Sequence, residues 1–172
     1  MIGLLIGLLK ISDWVGTFST LIVVAGLVWS IFLWIRGILP VLLRLGNGLA
    51  TRKIAILAEG SEQDSLKNLL TDSGMFRVKN IICVAKQSDL GRAEKATLYL
   101  VHWPSWKDAL DKVLSQKKDG AGLVVYAPHK GGRIPEQGLV SLNNQRNVTV
   151  TNFRGRLLSD ILVSMITTSC AQ

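Results

Sequence analysis

Cysteine is scarce in this 172-residue chain: there are two, Cys83 and Cys170, too far apart for any metal-ligand spacing. Cys83 falls in an apolar run, where a free thiol behaves as a small hydrophobe, and nothing here demands an oxidising compartment. Histidine is equally rare; His102 and His129 are too few for a metal centre, so no metal and no other cofactor is expected. There is no internal repeat and no low-complexity segment. Neither a G-x-G-x-x-G fingerprint nor a phosphate-binding P-loop occurs anywhere, which removes the common nucleotide-binding motifs. The basic excess, net +8, is divided equally between residues 1–53 and 54–172. In the longer part it is spread out, so no nucleic-acid-binding stripe is evident.

The most consequential absence is of charge between Trp14 and Ile35, WVGTFSTLIVVAGLVWSIFLWI. As a helix, these 22 residues extend roughly 33 Å, about the hydrocarbon thickness of a bilayer. Tryptophans stand at both ends, where indole rings favour the headgroup boundary. A soluble core helix seldom runs this far without a polar face. The stretch is therefore expected to be a transmembrane helix over 14–36, preceded by a short apolar extension over 1–13. A cleavable signal peptide fits less well, because no basic segment precedes the apolar run and no A-x-A-like site follows it.

Gly16, Ser19, Val23, Gly26 and Ser30 follow one another in steps of three and four, then Gly37 lies just beyond. Small residues on one stripe let helix backbones approach in lipid, so Gly16, Ser19, Gly26 and Ser30 are candidates for span self-association in a homo-oligomer. Arg36, Arg44, Arg52 and Lys53 follow the span and only Lys10 precedes it. The positive-inside rule then predicts a single-pass protein of the cytoplasmic (inner) membrane, N-terminus outside and C-terminal domain in the cytoplasm. Residues 37–52 are expected to form a basic juxtamembrane helix, lying against lipid over 38–50, with a hinge at Gly46-Asn47-Gly48.

From Lys53 onward short Ile/Val-rich runs alternate with helix-like stretches. Strands are predicted at 53–58, 80–85, 97–102, 122–127 and 147–152. Helices are predicted at 61–73, 105–118 and 155–168, with weaker ones at 89–96 and 135–144. Ser61 with Asp64 and Ser105 with Asp108 have the spacing of helix caps, and Pro135 suits a first helical position. Five strands alternating with helices predict an α/β domain over 53–172, built on a parallel sheet ordered 2-1-3-4-5.

That pattern resembles the flavodoxin-like (Rossmann-like) group, including response-regulator receivers and Toll/interleukin-receptor (TIR) domains. A receiver implies an acidic pair after strand one, a phosphoacceptor Asp after strand three and a Lys after strand five. Here those places hold Glu59-Gly60, His102-Trp103-Pro104 and Asn152-Phe153. A flavodoxin implies a phosphate loop after strand one, where this chain has the acidic AEGSEQD. TIR-type NAD cleavage implies a catalytic Glu, and none of Glu59, Glu62, Glu94 or Glu136 lies in a matching motif. No catalytic residue is assigned.

Ligands of open parallel sheets bind beyond the strands' C-terminal ends. Two loops there are basic and glycine-bearing: Pro128-His129-Lys130-Gly131-Gly132-Arg133 after strand four, and Asn152-Phe153-Arg154-Gly155-Arg156 after strand five. His129, Lys130, Arg133, Arg154 and Arg156 suit the phosphate of a nucleotide or another phosphorylated ligand. Trp103 and Trp106 suit stacking on a base. Solvated loop cations, with tryptophans that merely cover a helix, would give the same sequence. The layout of one span and one small sensor domain resembles the membrane effectors of bacterial antiphage systems, including those answering cyclic nucleotides. It implies a sensor–effector whose ligand gathers the spans and perturbs the membrane. The alternatives are a non-catalytic membrane-tethered adaptor for a protein partner, and a TIR-like NAD-cleaving or nucleotide-hydrolysing enzyme.

Overall fold

The computed structural model describes residues 2–40, 46 and 51–169. The chain divides into two units, 1–44 and 45–172. In the first, α1 (Ile2–Gly37) is one uninterrupted helix, so the residues before Trp14 continue the same rod. Its segment Phe18–Gly37 contains an 18-residue window of mean hydropathy 2.2, none of it buried. By length and composition it is able to cross a membrane. The juxtamembrane helix and hinge expected over 37–52 lie largely outside the described residues.

The second unit is an α/β domain. Its strands are β1 (Ile54–Leu57), β2 (Ile81–Val84), β3 (Leu98–His102), β4 (Gly122–Tyr126) and β5 (Val148–Thr151). All pair in parallel, in the order β2-β1-β3-β4-β5. β1, β3 and β4 are buried on both faces, and accordingly their sequences are continuous apolar runs rather than alternations. Parallel strands need crossovers. These are α2 (Gly60–Asp72), a 3₁₀ segment (Gln87–Lys95), the short α3 (Trp103–Trp106) with α4 (Leu110–Gln116), and α5 (Glu136–Asn143). The chain closes with α6 (Arg154–Ser169).

Each sheet face carries its own core. Leu66 and Leu70 of α2 and Leu157, Ile161 and Met165 of α6 pack with Ile54, Ile56, Leu98, Leu100 and Val124. On the other face, Leu90, Trp106, Leu110, Val113 and Leu142 pack with Leu57, Tyr99, Val101, Leu123 and Val125.

The predicted caps are corrected. α2 starts at Gly60 with Glu59 as its N-cap, and α3 starts at Trp103 with His102 as its N-cap; neither cap makes a side-chain hydrogen bond. The chain turns into each helix earlier than Ser61 or Ser105, so those hydroxyls lie inside the first turn instead of before it. Pro135 is likewise the N-cap of α5 and not its first residue.

Two basic side chains tie the strand-entry edge together. Lys117 is buried, and its Nζ donates to the carbonyls of Ala121 and Arg146 at 3.1 Å each and of Lys118 at 3.4 Å. Burial holds its pKa below the usual lysine value, against the opposing pull of Asp119. Arg52 was expected to serve the juxtamembrane segment. Its Nη1 instead donates to the Met165 carbonyl (2.9 Å) and the Thr168 hydroxyl (2.7 Å) near the end of α6.

Candidate functional site

The C-terminal rim of the sheet is shaped by the loop between β4 and α5. Gly131 has φ +82, a left-handed conformation that a residue with a Cβ adopts only under strain. At Gly132 a Cβ would run into the backbone of Pro128, so the loop folds back tightly on itself. This double turn presents His129, Lys130 and Arg133, all exposed, with no carboxylate between Ala127 and Pro135.

A cleft of about 570 Å³ opens beside the loop, lined by His129, Gly132, Arg133 and Asn152 with apolar walls from Ile134, Leu139 and Val150. A second, of about 440 Å³, lies between Trp103, Pro104, Lys107, Asp108 and Pro135. Arg133 lines both. Its guanidinium makes no ion pair among the described residues, where the only two are Arg154–Glu62 and Arg156–Asp160.

The expected site residues therefore separate. His129 and Arg133 share the larger cleft, Lys130 stands exposed on the same loop, and Trp103 walls the smaller cleft while remaining 6% exposed. Trp106 is in the core at 1% exposure, with no hydrogen-bond partner for its indole Nε1 among the described residues. It offers no ring face for stacking. Arg154 is bound to α2: its guanidinium donates to the Ser65 hydroxyl at 2.6 Å and carbonyl at 3.2 Å, and lies 3.9 Å from the Glu62 carboxylate. Arg156 pairs one turn along its own helix with Asp160 at 3.6 Å. Neither arginine is among the residues lining the larger cleft.

His102, at the end of β3, stands where a receiver has its Asp and is not among the expected site residues. It is buried, its Nδ1 lies 2.8 Å from the Ser105 Oγ, and its ring is 5.9 Å from that of Tyr126. Burial pushes its pKa below the ordinary histidine value, and the Glu62 carboxylate partly opposes this. A neutral imidazole is thus stored at the rim. The His-x-x-Ser spacing was the available signal, and it is too common to single out. Among the described residues no three metal-ligating side chains converge.

Along the span, Gly16, Ser19, Gly26 and Ser30 are all exposed. The hydroxyls of Ser19 and Thr20 both donate to the Gly16 carbonyl, at 2.9 and 2.8 Å. In lipid this satisfies them within the helix.

Compared with protein-family models, curated proteins and solved structures, the chain matches none. The strand order carries the flavodoxin-like architecture on its own, and the closer likeness to TIR domains or antiphage effectors has no support from these comparisons. Architecture does not assign function, so the site has to be judged on its chemistry.

Proposed function

We propose that the protein is a membrane-anchored sensor–effector whose α/β domain binds a phosphorylated, nucleotide-like ligand at the C-terminal rim of its sheet. In this reading α1 crosses the inner membrane, Arg36 and the basic residues after it keep the domain cytoplasmic, and ligand binding shifts the spans toward an associated state that perturbs the membrane. The observation that carries the proposal is Arg133: one guanidinium without an ion pair, common to two clefts, on a loop free of carboxylates. A phosphate seated on Arg133, with the glycine turn beside it, would place its flanking groups in the two clefts. A role in antiphage defence is the biological setting this layout suggests.

The test is ligand binding by the detergent-solubilised full-length protein, across a panel of mono- and cyclic nucleotides. Arg133→Ala is expected to weaken binding at least tenfold, the loss of a charge-assisted contact of about 1.5–3 kcal/mol. Arg154→Ala is expected to leave it nearly unchanged, because that side chain is already held by Glu62 and Ser65. Equal loss in both variants would move the site to α6, and no binding of any phosphorylated compound would remove the proposal.

A second reading, an adaptor that docks a protein, is favoured by a different feature. β5 is an edge strand, and Val150 and Phe153 there, with Val163 and Ile166 on α6, leave apolar side chains exposed.

A further inference from the structure

In a parallel sheet every loop that leads into a strand lies on the same edge. Here the register fixes that edge residue by residue. Ile54 is level with Ile81 and Leu98, Leu98 with Gly122, and Leu123 with Val148. The segments just before these residues carry Arg77 and Lys79 ahead of β2, Lys95 ahead of β3, Lys118 ahead of β4 and Arg146 ahead of β5. All five are exposed, with half-buried Lys53 ahead of β1. None of the five takes part in either of the two ion pairs among the described residues. Three exposed carboxylates, Asp72, Glu94 and Asp119, share the edge, so it remains net positive.

Hydrogen bonds also link the loops of this edge to one another. Thr97 N donates to the Lys53 carbonyl, Gly122 N to that of Thr97, and Leu123 N to that of Asn147. The Asn147 side chain binds the Asp119 carbonyl, and Lys117 binds that of Arg146. Beside the cations, Phe76 is buried in the core and holds the turn before β2. Met75 and Val78, on either side of it, are left 41% and 60% exposed.

We propose that this strand-entry edge docks on an anionic lipid surface, with Met75 and Val78 entering the interface and the surrounding Lys and Arg side chains on lipid phosphates. Apolar side chains ringed by cations are the composition of interfacial anchors. The polypeptide arriving from the apolar helix enters the domain at this same edge, through Lys53. A single-stranded nucleic acid would call for exposed aromatic rings between the cations, and no aromatic residue of this edge is exposed. The inference rests on α1 standing in a bilayer and is independent of the ligand site at the opposite edge.

The experiment uses full-length protein with Cys83 and Cys170 replaced by alanine, reconstituted into phosphatidylcholine vesicles with or without phosphatidylserine. A fluorophore is placed at Val78→Cys or, as a control beyond the other end of β2, at Ser88→Cys. Headgroup-linked nitroxide is expected to quench the probe at 78 and not at 88. Quenching should require phosphatidylserine and fade as salt is raised. Combined Arg77→Gln, Lys79→Gln and Arg146→Gln should lower the docked-to-free ratio by about a hundredfold, at about fivefold per charge. In the protein with no substitution, amide exchange over 75–80 should slow when phosphatidylserine is present. Equal quenching at both positions, or indifference to lipid charge and to the substitutions, overturns the docking while leaving the anchor intact. Release of the protein by alkaline carbonate overturns the anchor itself, and the docking with it.

Discussion

His102 stands in the last position of a fully buried strand, where an imidazolium would lose more hydration than the Glu62 carboxylate makes good. Its folded-state pKa lies below the unfolded value near 6.5, with burial the larger cause and Glu62 the smaller opposing one. The unfolded chain therefore takes up this proton first as pH falls. His102 contributes its full stabilisation above about pH 6.5 and loses it on acidification from there, down to its lower folded-state pKa. The melting temperature of the solubilised protein is expected to fall between pH 7.5 and pH 5.5, with a flatter profile in His102→Asn; parallel profiles would assign the acid sensitivity elsewhere. At this scale the sequence separates residues poorly. Trp103 and Trp106 are the same residue type three apart, yet one walls a cleft and the other fills the core. Arg133 and Arg154 stand in similar basic, glycine-bearing stretches of sequence, and only Glu62 and Ser65, some ninety residues away in sequence, occupy one of them.

Elements were far more legible than residues, and the reason is burial. Strands covered on both faces must be apolar throughout, so β1, β3 and β4 announce themselves as unbroken runs. Apolar residues of α2, α4 and α6 recur at helical spacing because each helix buries only one stripe. Helix starts were misjudged because a cap is decided by local backbone direction, and His102 and Glu59 take that position without a side-chain bond. The strand order 2-1-3-4-5 follows from the alternation of strands and helices, but side-chain contacts between elements distant in sequence leave no pattern to read. Arg52 precedes β1, but its guanidinium binds a main-chain carbonyl and a threonine hydroxyl of α6, where a cation also favours the helix's negative end. Arg52→Ala is expected to destabilise the domain by about 1.5–3 kcal/mol, the range for a hydrogen bond with a charged partner. Amide exchange should quicken over 165–168 with little change in β3. Uniform quickening across the sheet would mean that Arg52 supports the whole domain rather than the end of α6.

For the whole molecule the question is how an α/β body and an apolar rod act together, and the rod's own surface supplies one answer to test. α1 from Phe18 to Gly37 has no buried face, so in a bilayer its side chains would meet either lipid or another helix. Lipid tails solvate Leu and Val as well as a neighbouring helix would, so apolarity cannot draw spans together. Close backbone approach can, and Gly26 provides it, with nothing within 4 Å of where a Cβ would stand. Gly16, Ser19 and Ser30 lie on the same stripe, although the Ser19 hydroxyl is committed to its own helix and would contribute through its small size instead. Gly26→Leu is expected to weaken span self-association by on the order of 1 kcal/mol, about fivefold, read by energy transfer between labelled full-length proteins in vesicles. Val28→Phe adds as many carbon atoms about 200° around the helix from Gly26 and should leave association unchanged. Equal weakening by both substitutions would show that bulk anywhere on the rod matters, and the stripe would lose its role. If neither has an effect, any association must run through the α/β domain, where the exposed Val150, Phe153 and Val163 become the surface to mutate next.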